Sequence, residues 1–320
     1  MQKILIIHTG GTISMEEAAD GRIIETNEHP LTEIEQLKQF SIEEKQLFHL
    51  PSPHMTLDHM LVLTQYIEKQ MATAKYNGIV ITHGTDTLEE TAFFVDLTVN
   101  ASIPIIFTGA MRPSNKIGSD ALYNLFCALR VASDPKSAYR GVLVVMNDEI
   151  HTAQHVTKTS TSNVATFQSP VFGPVGFVTK LAIHFHQKMD QTTHYPVTTW
   201  TKNVVLLKTY AGMSDELLQT ISSQHVHGII VEALGQGNVP PAIVPALQRF
   251  ISEGITVVIV SRCFKGVVQP VYDYAGGGRA LVKDGVIFAN YLNGPKARLK
   301  LLLLLENNYD HEAIVEAFHD

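Results

Sequence analysis

Short runs rich in Val and Ile, alternating with helical patterns, constrain the fold of this chain most strongly. Four of these runs fall in the first half of the sequence, "KILIIH" at 3–8, "GIVIT" at 78–82, "IPIIFTG" at 103–109 and "GVLVVM" at 141–146. Each is nearly continuous in apolar residues, as a strand covered on both faces should be. Segments with helical spacing lie between them, at 56–74, 87–99 and 119–132. This repetition predicts right-handed crossovers and an α/β fold with a doubly wound, mostly parallel sheet.

The alternation is interrupted once, and the interruption divides the chain. From about residue 147 to 195 the sequence is rich in Thr, Ser, Gly and Pro and has no helical period. Strand patterns then return at 204–208, 228–234 and 256–261, with helical patterns from near Asp215, at 241–254, 295–306 and 310–318. For a chain of 320 residues two domains are expected. We predict a larger N-terminal α/β domain at 1–190, a linker at 191–203 and a smaller C-terminal α/β domain at 204–320.

Composition excludes several classes of partner. The chain has 24 Lys and Arg against 31 Asp and Glu, and no dense basic run. We therefore expect no nucleic-acid partner and no membrane surface. The apolar run "LLLLL" at 301–305 is far too short to span a bilayer. The N-terminal apolar run is too short for a signal peptide, and Cys127 and Cys263 lack paired spacing, which is typical of reduced thiols. These features predict a cytoplasmic protein.

Glycines and a threonine directly follow the first predicted strand, in "HTGGTI". Ligands of open α/β sheets bind beyond the carboxyl ends of the strands, so these positions are the first candidates for a site. Gly10 and Gly11 permit a sharp turn that exposes amide groups, and Thr12 presents a hydroxyl. The same residues would also suit an ordinary Gly-Gly turn. Neither of the glycine-rich nucleotide-binding motifs is present, which disfavours a phosphate loop.

A second polar run, "HGTDTLEE" at 83–90, contains more than a turn requires. Thr87 and Glu90 fit a T-x-x-E capping box, which predicts that Thr87 begins the following helix. Asp86 would suit the first turn of that helix, but Thr85 then has no structural role. Because Thr85 and Thr12 follow parallel strands, we expect their hydroxyls to face a shared crevice. His83 is expected to shape the site without reacting.

A hydroxyl is a poor nucleophile near neutral pH and needs an activating group. Lys158, in "VTKTSTSNVATF", is the candidate. A lysine in a loop is usually solvated, but one held near Asp86 would complete a hydroxyl–carboxylate–ammonium relay with Thr85. No histidine lies in an HExxH motif, and no Cys, His and Asp residues have metal-ligand spacing. We therefore expect no metal and no cofactor.

At these residues the chain resembles the bacterial-type L-asparaginase/glutaminase family, and most of all its Bacillus-type members. The resemblance follows the order of the family over essentially the whole chain, at 9–13, 80–99, 105–114, 141–148, 156–176, 235–238 and 293–305. It implies a hydrolase that converts L-asparagine to L-aspartate and ammonia through a threonine nucleophile and an acyl-enzyme intermediate. It also implies a homotetramer, a dimer of dimers, in which a partner subunit completes each active site.

The resemblance assigns catalytic roles to four residues. Thr12 is the expected nucleophile, in the N-terminal domain. Thr85 and Lys158, with Asp86 beside them, form the second hydroxyl relay. Asp86 would also hold the α-ammonium group of the substrate.

Further residues are implied in substrate binding. Backbone amides near Gly11, Gly84 and Thr85 would hold the oxyanion, which commonly stabilises the transition state by several kcal/mol. Ser52, in "LPSPHM", matches the serine that binds the substrate α-carboxylate. Asn238, in "GQGN", matches a residue that reaches in from the partner subunit.

Two departures from the family pattern bear on the mechanism. In periplasmic members a tyrosine follows TGGTI on a lid and activates the threonine, whereas the first tyrosine here is Tyr66 and the lid region reads "SMEEAADGRIIETNEHPL". One hypothesis is that Tyr272 or Tyr274, in "VVQPVYDYAGGG", supplies the missing phenol. The second departure is Pro53, where the family often has Gln beside the serine. We expect this change to alter α-carboxylate binding and substrate choice.

Two alternative functions stay open at this point. The first is a glutaminase-asparaginase of broader specificity, since one extra methylene discriminates by only about 1–3 kcal/mol. The second is a non-catalytic protein that binds a small amino acid in the same cleft. Binding alone needs no activated hydroxyl, so the joint presence of Thr12, Thr85 and Lys158 favours catalysis.

Overall fold

A computed structural model of the chain describes residues 2–18, 20–25, 37–188 and 193–319. The backbone forms two compact units, Met1–His194 and Tyr195–Asp320. Each unit combines a mostly or wholly parallel sheet with helices, which confirms the predicted α/β class. Residues 191 and 192 of the predicted linker, and 19 and 26–31 of the predicted lid, lie outside the described residues.

The N-terminal unit is built on one large sheet. The described strands of this unit, in chain order, are β1 Lys3–His8, β2 Met15–Glu17, β3 Ile23–Glu25, β4 Ser41–Gln46, β5 Gly78–Thr82, β6 Ile105–Thr108, β7 Val142–Met146, β8 Glu149–Thr152, β9 Thr157–Lys158, β10 Phe167–Gln168, β11 Gly176–Val178 and β12 Ile183–Phe185. Strands β2 and β3 pair with each other, as do β9 and β10, outside the main sheet. Among the described residues the main sheet has eight strands, in the order β12-β11-β8-β7-β6-β5-β1-β4. Strands β4, β1, β5, β6 and β7 run parallel, and the remaining pairs are antiparallel. The carboxyl ends of β1 and β5 are therefore neighbours.

Helices cover both faces of this sheet. They are α1 Leu57–Ala72, α2 Leu88–Thr98 and α3 Ala121–Ser133. Successive residues of β1 point to opposite sides: Ile4 and Ile6 share a core cluster with residues of α3. Leu5 and Ile7 share the other cluster with residues of α1 and α2. This double coverage explains why the parallel strands are nearly continuous runs of apolar residues.

The segment from 147 to 188, which the sequence predicts to be irregular, contains five short strands, β8 to β12. Asn147 and Asp148 join β7 to β8 with left-handed backbones, at φ 50° and 66°. Positive φ at both central residues is the conformation of a tight two-residue hairpin. The turn brings the chain back antiparallel at the sheet and leads on to β9, which carries Lys158.

The C-terminal unit contains a parallel sheet with the order β13-β14-β15-β16. Its elements are β13 Val204–Lys208, β14 Gly228–Ala233, α4 Val244–Ser252, β15 Thr256–Ser261, α5 Gly278–Lys283, β16 Ile287–Phe288, α6 Gly294–Glu306 and α7 His311–His319. The predicted helix from near Asp215 is wrong, because that segment forms only a 3-10 turn at Leu218–Thr220. Leu218 is the one buried residue of 215–220, so this segment lacks an apolar face of helical length.

Two predictions from composition can be compared with the structure. Cys127 and Cys263 are both free thiols, as predicted. Within the described ranges, no helix has both the length and the hydropathy of a membrane span.

Candidate active site

Two glycines bring the polar turns after β1 and β5 into direct contact. Gly11 has a φ of 86°, and a Cβ built on it would lie 2.2 Å from the Cα of Gly84. A Cβ on Gly84 would in turn lie 2.7 Å from the Cβ of Ser52. Only residues without side chains permit backbones to approach this closely. Because each glycine immediately precedes a threonine, the contact places Thr12 and Thr85 at neighbouring points of the same sheet edge.

The structure brings together three of the predicted site residues in a single hydrogen-bonded group. The Nζ of Lys158 donates to Thr85 Oγ1 at 2.9 Å and to Asp86 Oδ1 at 2.7 Å. Thr85 is buried, and the Lys158 side chain is only 16% exposed, whereas the Asp86 side chain is 61% exposed. An ammonium group has donors and no acceptor, so Thr85 Oγ1 accepts and its own proton points elsewhere. The Thr85 hydroxyl is therefore able to donate its proton to a group other than Lys158.

Ser52 links a third segment to this group. It begins a 3-10 turn, Ser52–His54, and its Oγ accepts a hydrogen bond from Asp86 N at 3.2 Å. Its carbonyl accepts from Thr87 Oγ1 at 2.8 Å. The structure confirms that α2 begins at Thr87, which occupies the N-cap position. The predicted capping box is wrong, because the Thr87 side chain makes no capping bond. The hydroxyl instead holds the segment that positions Ser52, while Pro53 is exposed.

Thr12 begins a 3-10 turn at Thr12–Ser14 and is half-buried. Among the described residues, no hydrogen bond engages its Oγ1. The chain then enters the β2–β3 hairpin, the first part of the predicted lid. The side chain of Asn115 holds this hairpin, accepting from Glu17 N at 2.8 Å and donating to Glu17 O at 3.0 Å. Lys116 forms an ion pair with the Glu17 carboxylate at 2.8 Å.

His83 lies beneath the glycine contact and is fully buried. Its Nδ1 is 2.8 Å from the carbonyl oxygen of Gly84. Since a carbonyl only accepts, Nδ1 carries the proton and the ring holds Gly84 in place. Burial lowers the pKa of His83 to about 4. The imidazole is therefore neutral at physiological pH and contributes to the shape of the site.

This buried histidine predicts a pH-dependent stability. Unfolded His83 takes up a proton near its ordinary pKa of about 6.5, whereas the folded form does so only near 4. The free energy of unfolding should therefore fall as the pH decreases from 6.5 to 4, by about 3 kcal/mol from this residue. His83→Gln should lose that part of the decline, measured by urea unfolding at pH 7 and pH 4.5. His54→Gln, at an exposed histidine, is the control. Equal declines in wild type and His83→Gln would contradict this assignment.

A pocket of about 290 Å³ opens beside Lys158. It is lined by Asp86, Lys158, Thr159, Ser160 and Thr161. Its volume is near the lower end of the range for small-molecule sites, ~300–1,000 Å³. The three hydroxyl residues that follow Lys158 were not among the predicted site residues, although a run of hydroxyls beside a candidate lysine is a usable signal.

Three predicted site residues belong to the C-terminal unit, and their assignment to the site stays a prediction. Asn238 is half-buried in the turn after β14, and its Oδ1 has no hydrogen-bond partner among the described residues. Tyr272 and Tyr274 are both exposed, with ring centroids 5.7 Å apart. In the described ranges, no cluster of three or more His, Cys, Asp or Glu side chains could hold a metal ion.

Comparison with known proteins covers nearly the whole chain. Residues 3–191 match the family model "Asparaginase, N-terminal", and residues 203–318 match "Glutaminase/Asparaginase C-terminal domain". A probable L-asparaginase of Deinococcus radiodurans is 38% identical over 99% of this chain and 97% of its own. An L-asparaginase of Bacillus licheniformis is 34% identical over 95% of both chains. A solved structure, a probable cytoplasmic L-asparaginase of Campylobacter jejuni, superposes with a TM-score of 0.90 at 30% identity over 100% of both chains.

Proposed function

Because the chain belongs to the asparaginase family, we propose that it hydrolyses the side-chain amide of L-asparagine to L-aspartate and ammonia. The observation that carries this proposal is the position of Lys158 Nζ, within hydrogen-bond distance of both Thr85 Oγ1 and Asp86 Oδ1. Binding a small amino acid would need charges and amides, but not a hydroxyl joined to a shielded ammonium. That arrangement suits proton transfer at a reacting centre.

In the first half of the reaction, the hydroxyl oxygen of Thr12 attacks the amide carbon and gives up its proton to a base. The oxygen of the amide takes on negative charge, which the backbone amides near Gly11 and Gly84 would stabilise. Thr85 donates its proton to the leaving nitrogen and regains one from Lys158. Ammonia departs, and the aspartyl group stays attached to Thr12 as an ester.

In the second half, water attacks the ester carbon. Its proton passes through Thr85 back to Lys158, and Thr12 leaves with the proton held by the base. Each proton transferred in the first half is thus returned. Ser52 would bind the α-carboxylate and Asp86 the α-ammonium, which would orient the amide between Thr12 and Thr85.

We propose that the phenol of Tyr272 or Tyr274 acts in place of the lid tyrosine of the periplasmic members. Its oxygen accepts the proton of Thr12 as its own proton passes to water, and the transfer reverses when Thr12 leaves the ester. Tyr272→Phe with Tyr274→Phe removes both hydroxyl groups and keeps the rings. We expect kcat for L-asparagine to fall by about 10²–10⁴-fold, the usual contribution of a general base. Tyr210→Phe, at another exposed tyrosine, is the control. Undiminished turnover in the double variant would remove the phenol from the mechanism.

The proposal also covers the assembly, the domain limits and the cellular location of the protein. We infer a cytoplasmic homotetramer, a dimer of dimers, in which Asn238 of one subunit completes the site of another. The catalytic domain would span 1–190 and the C-terminal domain 204–320, joined by the linker 191–203. Light scattering on the purified protein tests the assembly, because a mass other than four times 35.4 kDa contradicts it.

The experiment that tests the proposed function is ammonia release from L-asparagine and L-glutamine. We expect turnover of L-asparagine, and the ratio of the two rates distinguishes an asparaginase from a broader glutaminase-asparaginase. The match of residues 203–318 to a glutaminase/asparaginase domain gives that second function its support. If neither amide is hydrolysed but L-aspartate raises the melting temperature, the protein is a binding protein and the proposal is wrong.

A further inference from the structure

Glu89 connects the helix of the site to the strand that carries Lys158. It lies in the first turn of α2 and its Oε1 accepts two hydrogen bonds from β9. The donors are Thr157 Oγ1 at 3.1 Å and the backbone N of Lys158 at 3.3 Å. In the opposite direction, the side chain of Lys158 donates to Thr85 and Asp86, which precede the same helix. The two elements are thus bonded to each other reciprocally.

The strand needs such support because it is very short. β9 consists of two residues, paired with the two residues of β10. An isolated two-stranded ribbon is marginally stable at best. Helix α2, in contrast, has eleven residues, and Leu88, Ala92 and Val95 are buried in the core. Val156 and Phe167 anchor the ribbon in this same core, and the carboxylate of Glu89 adds two hydrogen bonds at Thr157 and Lys158 themselves.

The position of the ammonium depends on the position of this backbone. The lysine side chain is flexible, and its Nζ is useful only where it reaches Thr85 Oγ1. A displacement of about 1 Å in a catalytic group can lower a rate by about 10²-fold. We propose that Glu89 is a positioning residue, which fixes the backbone of Lys158 so that its ammonium meets Thr85. The proposal rests on the proposed role of Lys158, and Glu89 acts only through that residue.

A carboxylate at a helix N-terminus also stabilises the helix dipole, so the test must separate the two roles. Glu89→Gln removes the charge but keeps an oxygen that can accept both hydrogen bonds. Glu89→Ala removes both. Asp58→Ala, at an exposed carboxylate in the first turn of α1, is the matched control for a dipole effect. Thr157→Val removes one of the two hydrogen bonds from the strand side and leaves α2 unchanged.

Steady-state ammonia release should then show a distinct pattern. We expect Glu89→Ala to lower kcat by about 10–100-fold with a small change in KM. The kcat of Glu89→Gln and of Asp58→Ala should stay within about threefold of the wild-type value. The kcat of Thr157→Val should lie between those of Glu89→Gln and Glu89→Ala. In a Lys158→Ala background, Glu89→Ala should cause no further loss, because its effect passes through Lys158. An equal loss in both backgrounds, or equal losses for Gln and Ala, overturns the proposal.

Hydrogen exchange gives a second readout that does not need catalysis. Peptides covering 157–168 should exchange faster in Glu89→Ala than in wild type, and at the wild-type rate in Glu89→Gln. If the wild type fails to hydrolyse L-asparagine, the proposed function fails, but this exchange pattern still tests whether Glu89 holds β9. Unchanged exchange in Glu89→Ala overturns the proposal. If Glu89→Ala does not fold, Thr157→Val is compared with Thr157→Ser by ammonia release and hydrogen exchange. Equal kcat and equal exchange in these two variants would overturn the proposal.

Discussion

Replacing Thr12 by alanine is expected to lower kcat for L-asparagine by at least about 10⁴-fold, the scale seen when a catalytic nucleophile is removed. Thr12 begins a short 3-10 turn, is half-buried, and makes no side-chain hydrogen bond within the described ranges. Alanine can adopt the same backbone, so the melting temperature should hardly change. A large loss of ammonia release with an unchanged melting temperature would separate a chemical role from a structural one.

Two matched substitutions sharpen this test. Thr12→Ser keeps a hydroxyl and should retain far more activity than Thr12→Ala. Thr9→Val acts on another threonine of the turn, whose buried Oγ1 donates to the carbonyl of Thr82 at 2.9 Å. It should lower the free energy of unfolding, because one of the two hydrogen bonds to this buried carbonyl is lost while that of Thr9 N, at 3.1 Å, stays. If Thr12→Ala turns over L-asparagine as fast as wild type, the nucleophile is another residue.

The central strands were predictable because a strand that is buried on both faces is a nearly continuous run of apolar residues. The structure has β1 at Lys3–His8 and β5 at Gly78–Thr82, as the apolar runs predict. The edge strand β4, with the sequence "SIEEKQ", was missed. It pairs with β1 through its backbone and is only partly buried, so backbone hydrogen bonds stabilise it without an apolar run.

Only part of the candidate site was predictable, namely the residues that follow strand ends or carry complementary charges. Those features predict that Lys158 lies near Asp86 and Thr85, as the structure shows. They give no sign that Thr87 bonds to Ser52 rather than to its own helix. A capping box is a local sequence pattern. Here the Thr87 hydroxyl instead donates to the Ser52 carbonyl, 35 residues earlier in the chain, at 2.8 Å. Contacts between residues distant in the sequence decided this case.

The contact between Gly11 and Gly84 is the other long-range feature, and it predicts a severe effect for Gly11→Ala. The added methyl group would lie 2.2 Å from Gly84 Cα and 2.4 Å from Gly84 N. Both are backbone atoms, so relief requires moving the loop that carries Thr85. We expect the free energy of unfolding to fall by about 3 kcal/mol or more, from overpacking combined with the left-handed φ. A shift of that loop should also lower kcat by about 10²-fold.

Gly21→Ala is the control for the cost of placing an alanine at a positive φ. Gly21 has a φ of 82°, close to the 86° of Gly11, but an added Cβ there would meet nothing within 4 Å. Its substitution should therefore cost only the left-handed conformation, about 1–2 kcal/mol. Urea unfolding of both variants measures the difference, which reports the steric contact together with any difference in ψ, since Gly11 has a ψ of 177°. Since that contact is what places Thr12 beside Thr85, equal destabilisation by the two substitutions would mean that the turns after β1 and β5 do not meet. The proposed pairing of nucleophile and relay would then lose its geometric basis.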